Sequence, residues 1–322
     1  MYSDGRRPPP VIAVDLGNTN SCAAGYGPGN DDAMFRFCIP SWVAFADNGT
    51  VLVGEAAKNH AHADPGNAIF GFKRLLGLRR NYMDEEETVQ RLIDRVPYKI
   101  GPRNAVRPIV QIKSRDDDGG AVKQEFDVEE LASLLIGELK RKAEDHLGRK
   151  VRRAVMAVPQ HFHGPSTRAA VDAAQIAGLD VVRTVSDPVA AAAAYGLRRK
   201  KTLLREGGAA LVLHVGGGTA AATVLTPVDG YLEALAHRDD PFLGGDDFDR
   251  RVVDHFVGLI EAEHGVDVGH DRVALGKLRA ACERAKKALS SQDHARVSVE
   301  SLFAGGVGFS ETLSRSDFEA LN

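Results

Sequence analysis

The residues best placed by type and spacing to do chemistry fall in two short groups. Asp15, Gly17, Asn18, Thr19 and Asn20 close one apolar run, and Gly216, Gly217, Gly218 and Thr219 close another that carries His214. A tight turn after a buried strand can aim backbone N–H groups, hydroxyls and amides at a phosphate, and residues without a β-carbon let the backbone approach a polyanion closely. Either turn alone reads equally well as a polar or flexible hairpin. Facing each other across a cleft, the two would clamp a nucleotide phosphate chain from both sides. The first turn, DLGNTNS, has neither the spacing GxxxxGK[ST] nor GxGxxG, so P-loop and dinucleotide-fold readings are disfavoured.

The elements that must position these turns follow from local pattern. Residues 11–16 are nearly all apolar, which fits a buried strand delivering Asp15 to its end, with residues 22–26 as its hairpin partner. SWVAF and TVLVG read as short strands, EAAKNHAHA as a helix, and NAIFGFKRLLGL as a cationic turn or helix. EELASLLIGELKRK predicts a long helix with Leu131, Leu134, Leu135 and Leu139 as its apolar stripe. AVMAV, TRAAVDAAQIAG and VVRTV then read as strand, helix and strand, the order of an α/β fold. GGAALVLHVGGGTAAATVL repeats in outline the strand, small-residue turn and strand of the N-terminus, so two similar hairpins imply two similar lobes.

On this reading residues 1–10 are a lead-in and residues 11–206 a first lobe, with 11–40 and 126–206 as core and 41–125 as an inserted subdomain. Residues 207–322 form a second lobe, with 207–242 as core, 243–316 as an inserted subdomain and 317–322 beginning a further core segment. Helical periodicity runs through FDRRVVDHFVGLIEAEHG and LGKLRAACERAKKALS. A hairpin and a last helix, capped by Ser314 or Ser316, follow.

Composition narrows the function classes. With 322 residues, 43% hydrophobic and 26% charged, the chain can bury a sizeable core. Its 41 Lys and Arg against 44 Asp and Glu give a net charge of -3, which argues against a nucleic-acid or anionic-membrane partner. No segment has the length and apolarity of a membrane span, and the N-terminus has no signal-peptide core. The three cysteines, Cys22, Cys38 and Cys282, are far apart, so neither a zinc site nor a disulfide framework is expected and the cytoplasm is the expected compartment.

Several long phrases together resemble the nucleotide-binding domain of the DnaK-type seventy-kilodalton heat-shock chaperones, which has the two-lobed actin and hexokinase ATPase fold, ribonuclease-H-like in each lobe. VIAVDLGNTNS resembles that family's first phosphate loop, FGFKRLLG its lysine-bearing segment, and HVGGGT its second phosphate loop. AVMAVPQHF with AAQIAGLDVVRTVSDPVAAAAAYGL resembles its connecting region, and FLGGDDFDRRVVDHF with LRAACERAKKALS its adenosine side. The likeness spans about residues 11–322.

The resemblance implies an α/β ATPase domain that binds ATP or ADP with Mg2+. It places Asp15 on the hydrated metal, Gly17, Asn18, Thr19, Asn20, Gly216, Gly217, Gly218 and Thr219 on the phosphates, and Gly245 beside the nucleotide. Lys73 falls where the family's phosphate- and water-positioning lysine stands. Glu283, Lys286, Lys287 and Ser290 fall on the base and ribose. Their spacing puts all four on one side of a helix, where alkyl stems can stack on a base, although a solvated charged face has the same spacing. Arg74, by contrast, reads as a surface residue.

Several positions depart from the family pattern. Asp187 stands where the family has Glu, shortening the reach by about 1 Å, and with Pro188 it could instead serve as a helix cap. His214 and Ala221 replace two further acids, and an imidazole is a poor ligand for a hard cation. Asn18 replaces a hydroxyl. These changes argue against turnover more than against binding, so hydrolysis is expected to be slow or absent. A non-catalytic protein-interaction scaffold and a small-molecule kinase of the same superfold are the competing readings. A co-chaperone or other protein partner is implied, while no peptide-binding unit is expected within this chain.

The resemblance stops short of the family's last adenosine-contacting loop and closing helix, so the second lobe is expected to be incomplete. Asp246 and Asp247 read as acids opening a helix. His161 and His163 flank Phe162 with no carboxylate or cysteine at ligand spacing, which reads as a polar loop rather than a metal site. The period-two spacing of His161 and His163 would put both on one face of a strand, whereas His60 and His62, two apart on a helix, do not face each other.

Overall fold

The computed structural model describes residues 9–27, 34–79, 83–115, 121–197, 208–302 and 307–322. Most of the lead-in lies outside the described residues, as do the sequence stretches DDDGG at 116–120 and RRK at 198–200. From the N-terminus, β1 (Val11–Asp15), β2 (Asn20–Tyr26) and β3 (Met34–Pro40) pair as an antiparallel meander. Next, β4 (Trp42–Phe45), β5 (Val51–Val53) and β6 (Ala68–Phe70) form a small sheet against helix α1 (Glu55–His60). Helix α2 (Met83–Ile93) precedes a second small sheet of β7 (Lys99–Arg103), β8 (Arg107–Arg115) and β9 (Ala121–Asp127).

The long helix α3 (Val128–Leu147) leads into β10 (Arg153–Val158), α4 (Gly164–Ile176), β11 (Asp180–Ser186) and α5 (Asp187–Ala194). β12 (Ala210–Val215), β13 (Ala220–Val228) and β14 (Tyr231–Asp240) make an antiparallel sheet. After it come α6 (Gly245–His264), α7 (Arg272–Ala288), the hairpin β15 (His294–Val299) with β16 (Phe309–Ser314), and α8 (Arg315–Leu321).

The strand that ends in Asp15 is central because both of its edges are used. β10 lies parallel on one side and β2 antiparallel on the other, giving the order β11-β10-β1-β2-β3. Its inward residues Ile12 and Val14 are buried against the core under α3 and α4. Helix α3 is specified at both ends: Asp127 and Glu130 form a reciprocal capping box, and Gly148 takes a left-handed φ of 63° just past its last turn. Leu131, Leu135 and Leu139 are fully buried along one stripe, each worth about 1.5–3 kcal/mol relative to exposure. Leu134 is only partly buried.

A separate apolar cluster gathers Val252, Phe256, Leu278, Cys282, Val297 and Leu313 beneath α6, α7 and the β15–β16 hairpin. The chain thus has an α/β architecture with two main cores. Between them the sheet of β12, β13 and β14 leaves Leu211, Leu213 and Val215 exposed, an apolar row along one face of β12.

Four details differ from the sequence reading. NAIFGFKRLLGL is neither one turn nor one helix: β6 and a 3-10 turn, Phe72–Leu75, are separated by Gly71 at φ 68°. A third strand, β14, extends the second hairpin. Asp187 caps nothing: it is the first helical residue of α5, Ser186 holds the cap position, and Asp187 Oδ1 is buried without a partner. Cys22 and Cys38 form a disulfide, because the β2–β3 register sets them directly opposite despite a separation of 16 residues. Sequence spacing cannot show that pairing without the register.

Candidate functional site

The turn after β1 is shaped by Gly17 and held from behind by Ser41. A β-carbon on Gly17 would lie 2.0 Å from the Asn20 carbonyl oxygen. Ser41 Oγ donates to the Gly17 carbonyl at 2.7 Å, and its amide donates to the Thr19 carbonyl at 2.8 Å. Ser41 also shares a hydroxyl bond with Ser21. The sequence offered a signal for this buttress in the small hydroxyl residue after Pro40, but nothing that fixed its target.

The turn after β12 closes on itself, the Gly216 amide donating to the Thr219 carbonyl at 2.8 Å. Helix α6 supports it from below. The amides of Gly245 and Asp246 donate to the carbonyls of Gly216 and Gly217 at 3.0 and 2.6 Å, so helix donors satisfy the outward-turned acceptors of the loop. A β-carbon on Gly244 would collide with Gly216 and Gly217 at 2.8 Å. Among the described residues, the amides of Asn18, Thr19, Gly217 and Gly218 donate to no acceptor.

These two turns meet. A β-carbon on Gly217 would stand 1.7 Å from Thr19 Oγ1, and one on Gly218 would stand 2.4 Å from Asn18 Nδ2. Asn18 Nδ2 crosses to Asp246 Oδ2 at 3.3 Å, while Asn18 Oδ1 and Thr19 Oγ1 are buried without partners. A cradle lined by unpartnered polar atoms and idle amides fits a group rich in acceptor oxygens and donors.

Arg74 lies at the centre of this junction rather than on the surface. Its Nη2 donates to the Gly218 carbonyl, its Nε donates to the Pro241 carbonyl at 2.9 Å, and its guanidinium lies 5.0 Å from the Phe242 ring centre. Burial pulls its pKa below the usual arginine value, against the attraction of Asp246 and Asp247. Burial also pushes Asp246 up to about 6, which Arg74 opposes. Asp247 pairs with Arg95 at 2.6 Å. Both acids stand in the first turn of α6, as their spacing implied, yet each also bonds across to the first half of the chain.

Lys73, Asp15 and His214 each act on the charge of Asp187. Burial raises the Asp187 pKa; the charge of Lys73 opposes this, Asp15 reinforces it and His214 opposes it, so all four share one electrostatic neighbourhood. Lys73 Nζ is 5.8 Å from the centre of the Phe162 ring. Thr219 lies at the end of the second turn, and Ala221 sits on β13 directly opposite His214 on β12. Asn20, in contrast, opens β2 with an exposed side chain.

The face of α7 is engaged by ion pairs. Lys286 Nζ donates to Asp249 Oδ2 and to the Gly245 carbonyl, both at 2.7 Å. Glu283 accepts from Lys287 at 2.6 Å and from Lys58 of α1 at 2.8 Å. Burial resists ionisation of Glu283, but the two lysine hydrogen bonds overcome it and hold the carboxyl down to about 2. Ser290 is exposed one residue past the helix cap. Beside Glu283, a cavity of about 430 Å³ runs between Trp42, Phe70 and Pro97 on one wall and Leu275, Gly276 and Arg279 on the other.

His161 does not team with His163. It lies in the loop after β10, with Nδ1 3.5 Å from Asp239 Oδ2, and its ring stacks toward His237 at 6.3 Å between centres. Burial lowers its pKa against the pull of Asp239, with Lys73 and His237 adding to the fall.

Comparison with known proteins gives the family of the chain. The family model described as Hsp70 protein matches residues 11–322. A protein named heat shock 70 kDa protein BIP3, from Oryza sativa subsp. japonica, is 44% identical over 316 residues. That stretch is 97% of this chain and 45% of the relative, so the chain spans less than half the length of the curated protein it matches.

Proposed function

This chain belongs to the Hsp70 family, matched from residue 11 to residue 322, and from that premise we propose that it binds ATP or ADP with Mg2+ between its two glycine turns, as a chaperone-type nucleotide module with weak or absent hydrolysis. The observation that carries the reading is the meeting of Thr19 with Gly217, flanked by buried unpartnered Asn18 Oδ1 and Thr19 Oγ1. Backbone donors from both turns would hold the phosphate chain. Gly245, Glu283, Lys286, Lys287 and Ser290 would line the base and ribose once the α7 ion pairs rearrange.

The acid set fits a hydrated magnesium ion only in part. Asp15 beside the partnerless Asp187 oxygen offers two carboxylates for its waters, whereas His214 and Ala221 add no hard oxygen ligand. When bound, the metal would neutralise phosphate charge. Lys73 would position phosphate and the attacking water, Thr219 would bond the terminal phosphate, and Asp187 would serve as a weak base with its proton affinity raised by burial. Losing acids at two positions reduces turnover more than affinity.

A second reading, a non-catalytic protein-interaction module, is favoured by His214, Ala221 and the exposed row Leu211, Leu213 and Val215, which would suit a co-chaperone or other protein partner. A cytoplasmic placement belongs to this proposal only where Cys22 and Cys38 are kept reduced; no described helix is long and apolar enough to cross a membrane. Calorimetric titration with ATP and ADP, with and without Mg2+, followed by a phosphate-release assay, separates the readings. Binding without turnover supports the first; no heat with any nucleotide refutes it.

A further inference from the structure

His161, His237 and Asp239 bring their ligand atoms together, all lying within 4.8 Å of one another. His237 and Asp239 stand two apart on β14 and so share a face of the strand, while His161 reaches them from the loop after β10. Asp239 bridges the pair: Oδ1 is 3.2 Å from His237 Nε2, and Oδ2 is 3.5 Å from His161 Nδ1. A tetrahedral ion bound at about 2.0–2.1 Å needs its ligand atoms about 3.3 Å apart. Each imidazole nitrogen already stands at about that spacing from one oxygen of the Asp239 carboxylate, a different oxygen for each, and rotation of these side chains within the 4.8 Å cluster would complete the set.

A second observation points into the same space. His237 Nε2 is buried and makes no hydrogen bond, its 3.2 Å approach to Asp239 lacking hydrogen-bond geometry. Its other nitrogen, Nδ1, is 2.8 Å from the buried hydroxyl of Thr223, the residue directly opposite on β13. With Nδ1–H donating to that hydroxyl, the Nε2 lone pair faces the cluster. Orientation of a metal-binding imidazole through its far nitrogen is the usual outer support of such sites.

We propose that His161, His237 and Asp239 form a site for a divalent transition metal, zinc foremost, that ties the loop after β10 to β14. Two imidazoles and one carboxylate suit Zn2+, Co2+ or Ni2+ and disfavour Mg2+ and Ca2+, which prefer oxygen. With three protein ligands, and side chains 17–33% exposed, a fourth position is left for water. Lys73, whose charge reaches His161, works against any cation here, so affinity depends on the Asp239 carboxylate. The site uses none of the residues assigned to nucleotide and holds whether or not nucleotide binds.

The test uses the full chain, stripped with chelator and free of nucleotide and Mg2+. Co2+ titration is expected to give one equivalent of visible d–d absorption typical of four or five ligands, displaced by Zn2+. His161→Gln, His237→Gln and Asp239→Asn should each weaken Zn2+ binding at least about a hundredfold, in line with loss of a ligand or its support. His163→Gln should leave it unchanged, and Thr223→Val should weaken it about tenfold or more. A weak six-coordinate cobalt spectrum, or wild-type Zn2+ affinity in the His161 and His237 variants, overturns the proposal. Should those variants fail to fold, the wild-type cobalt spectrum and the Asp239→Asn titration still decide it.

Discussion

The Thr19 hydroxyl occupies the space where any side chain on Gly217 would have to begin, 1.7 Å from the position of a β-carbon there. Two turns separated by nearly two hundred residues are therefore in direct contact, and the second must be glycine at that point. Gly217→Ala is expected to part the turns, lower nucleotide affinity about tenfold or more, and increase the radius of gyration in small-angle scattering. Wild-type affinity in this variant would mean that the two turns do not share a ligand.

Lys73 and Arg74 are adjacent in sequence but belong to different tasks. Lys73→Ala should lower phosphate release far more than nucleotide affinity. Arg74→Ala should instead destabilise the fold by about 1–3 kcal/mol, because the Gly218 and Pro241 carbonyls lose a charged donor. Single-turnover kinetics and urea unfolding on both variants separate the roles. Equal losses of turnover and affinity in Lys73→Ala would remove its assignment.

Asp246 makes stability depend on pH. Its folded pKa of about 6 lies above the unfolded value of about 3.9, so the folded chain holds a proton that the unfolded chain releases. The contribution of this group is full below about pH 4 and is lost as pH rises through 6, at most about 3 kcal/mol. Asp246→Asn should flatten that stretch and raise stability at pH 7. Unfolding curves at pH 4.5 and 7 that show no gain in the variant would contradict the burial argument.

The Cys22–Cys38 disulfide closes a loop of 16 residues, worth up to about 3 kcal/mol through the unfolded chain. Cys22→Ser should remove that increment under oxidising conditions and change little under reductant. Thiol counting in denaturant provides the check: one reactive thiol, Cys282, is expected without reductant and three with it. Three in both states would show that the bridge does not form in solution.

Patterns confined to neighbouring residues were legible in the sequence. The strand ending in Asp15, the stripe Leu131, Leu135 and Leu139, and the Ser314 cap all follow from local periodicity or hydrogen bonding, and each lies where expected. The α/β class and the family were also readable, because long phrases carry them. What escaped depends on register and on contacts across the chain. Cys22 meets Cys38 only through strand pairing, Arg74 is half-buried because Pro241 and Gly218 arrive over it, and His161 finds its carboxylate 78 residues further on, at Asp239. Asp187 looked like a cap because Pro188 follows it, yet Ser186 takes that position and leaves the carboxylate facing Lys73 and Asp15.

Lys58 with Glu283, Arg95 with Asp247 and Arg74 with the Gly218 carbonyl tie the two walls of the cleft together. Each is a latch that entry of a solute between the walls would have to release. Association in rapid-mixing experiments should therefore stop accelerating at high solute concentration, at a ceiling set by spontaneous breathing of the walls, and Glu283→Gln should raise that ceiling.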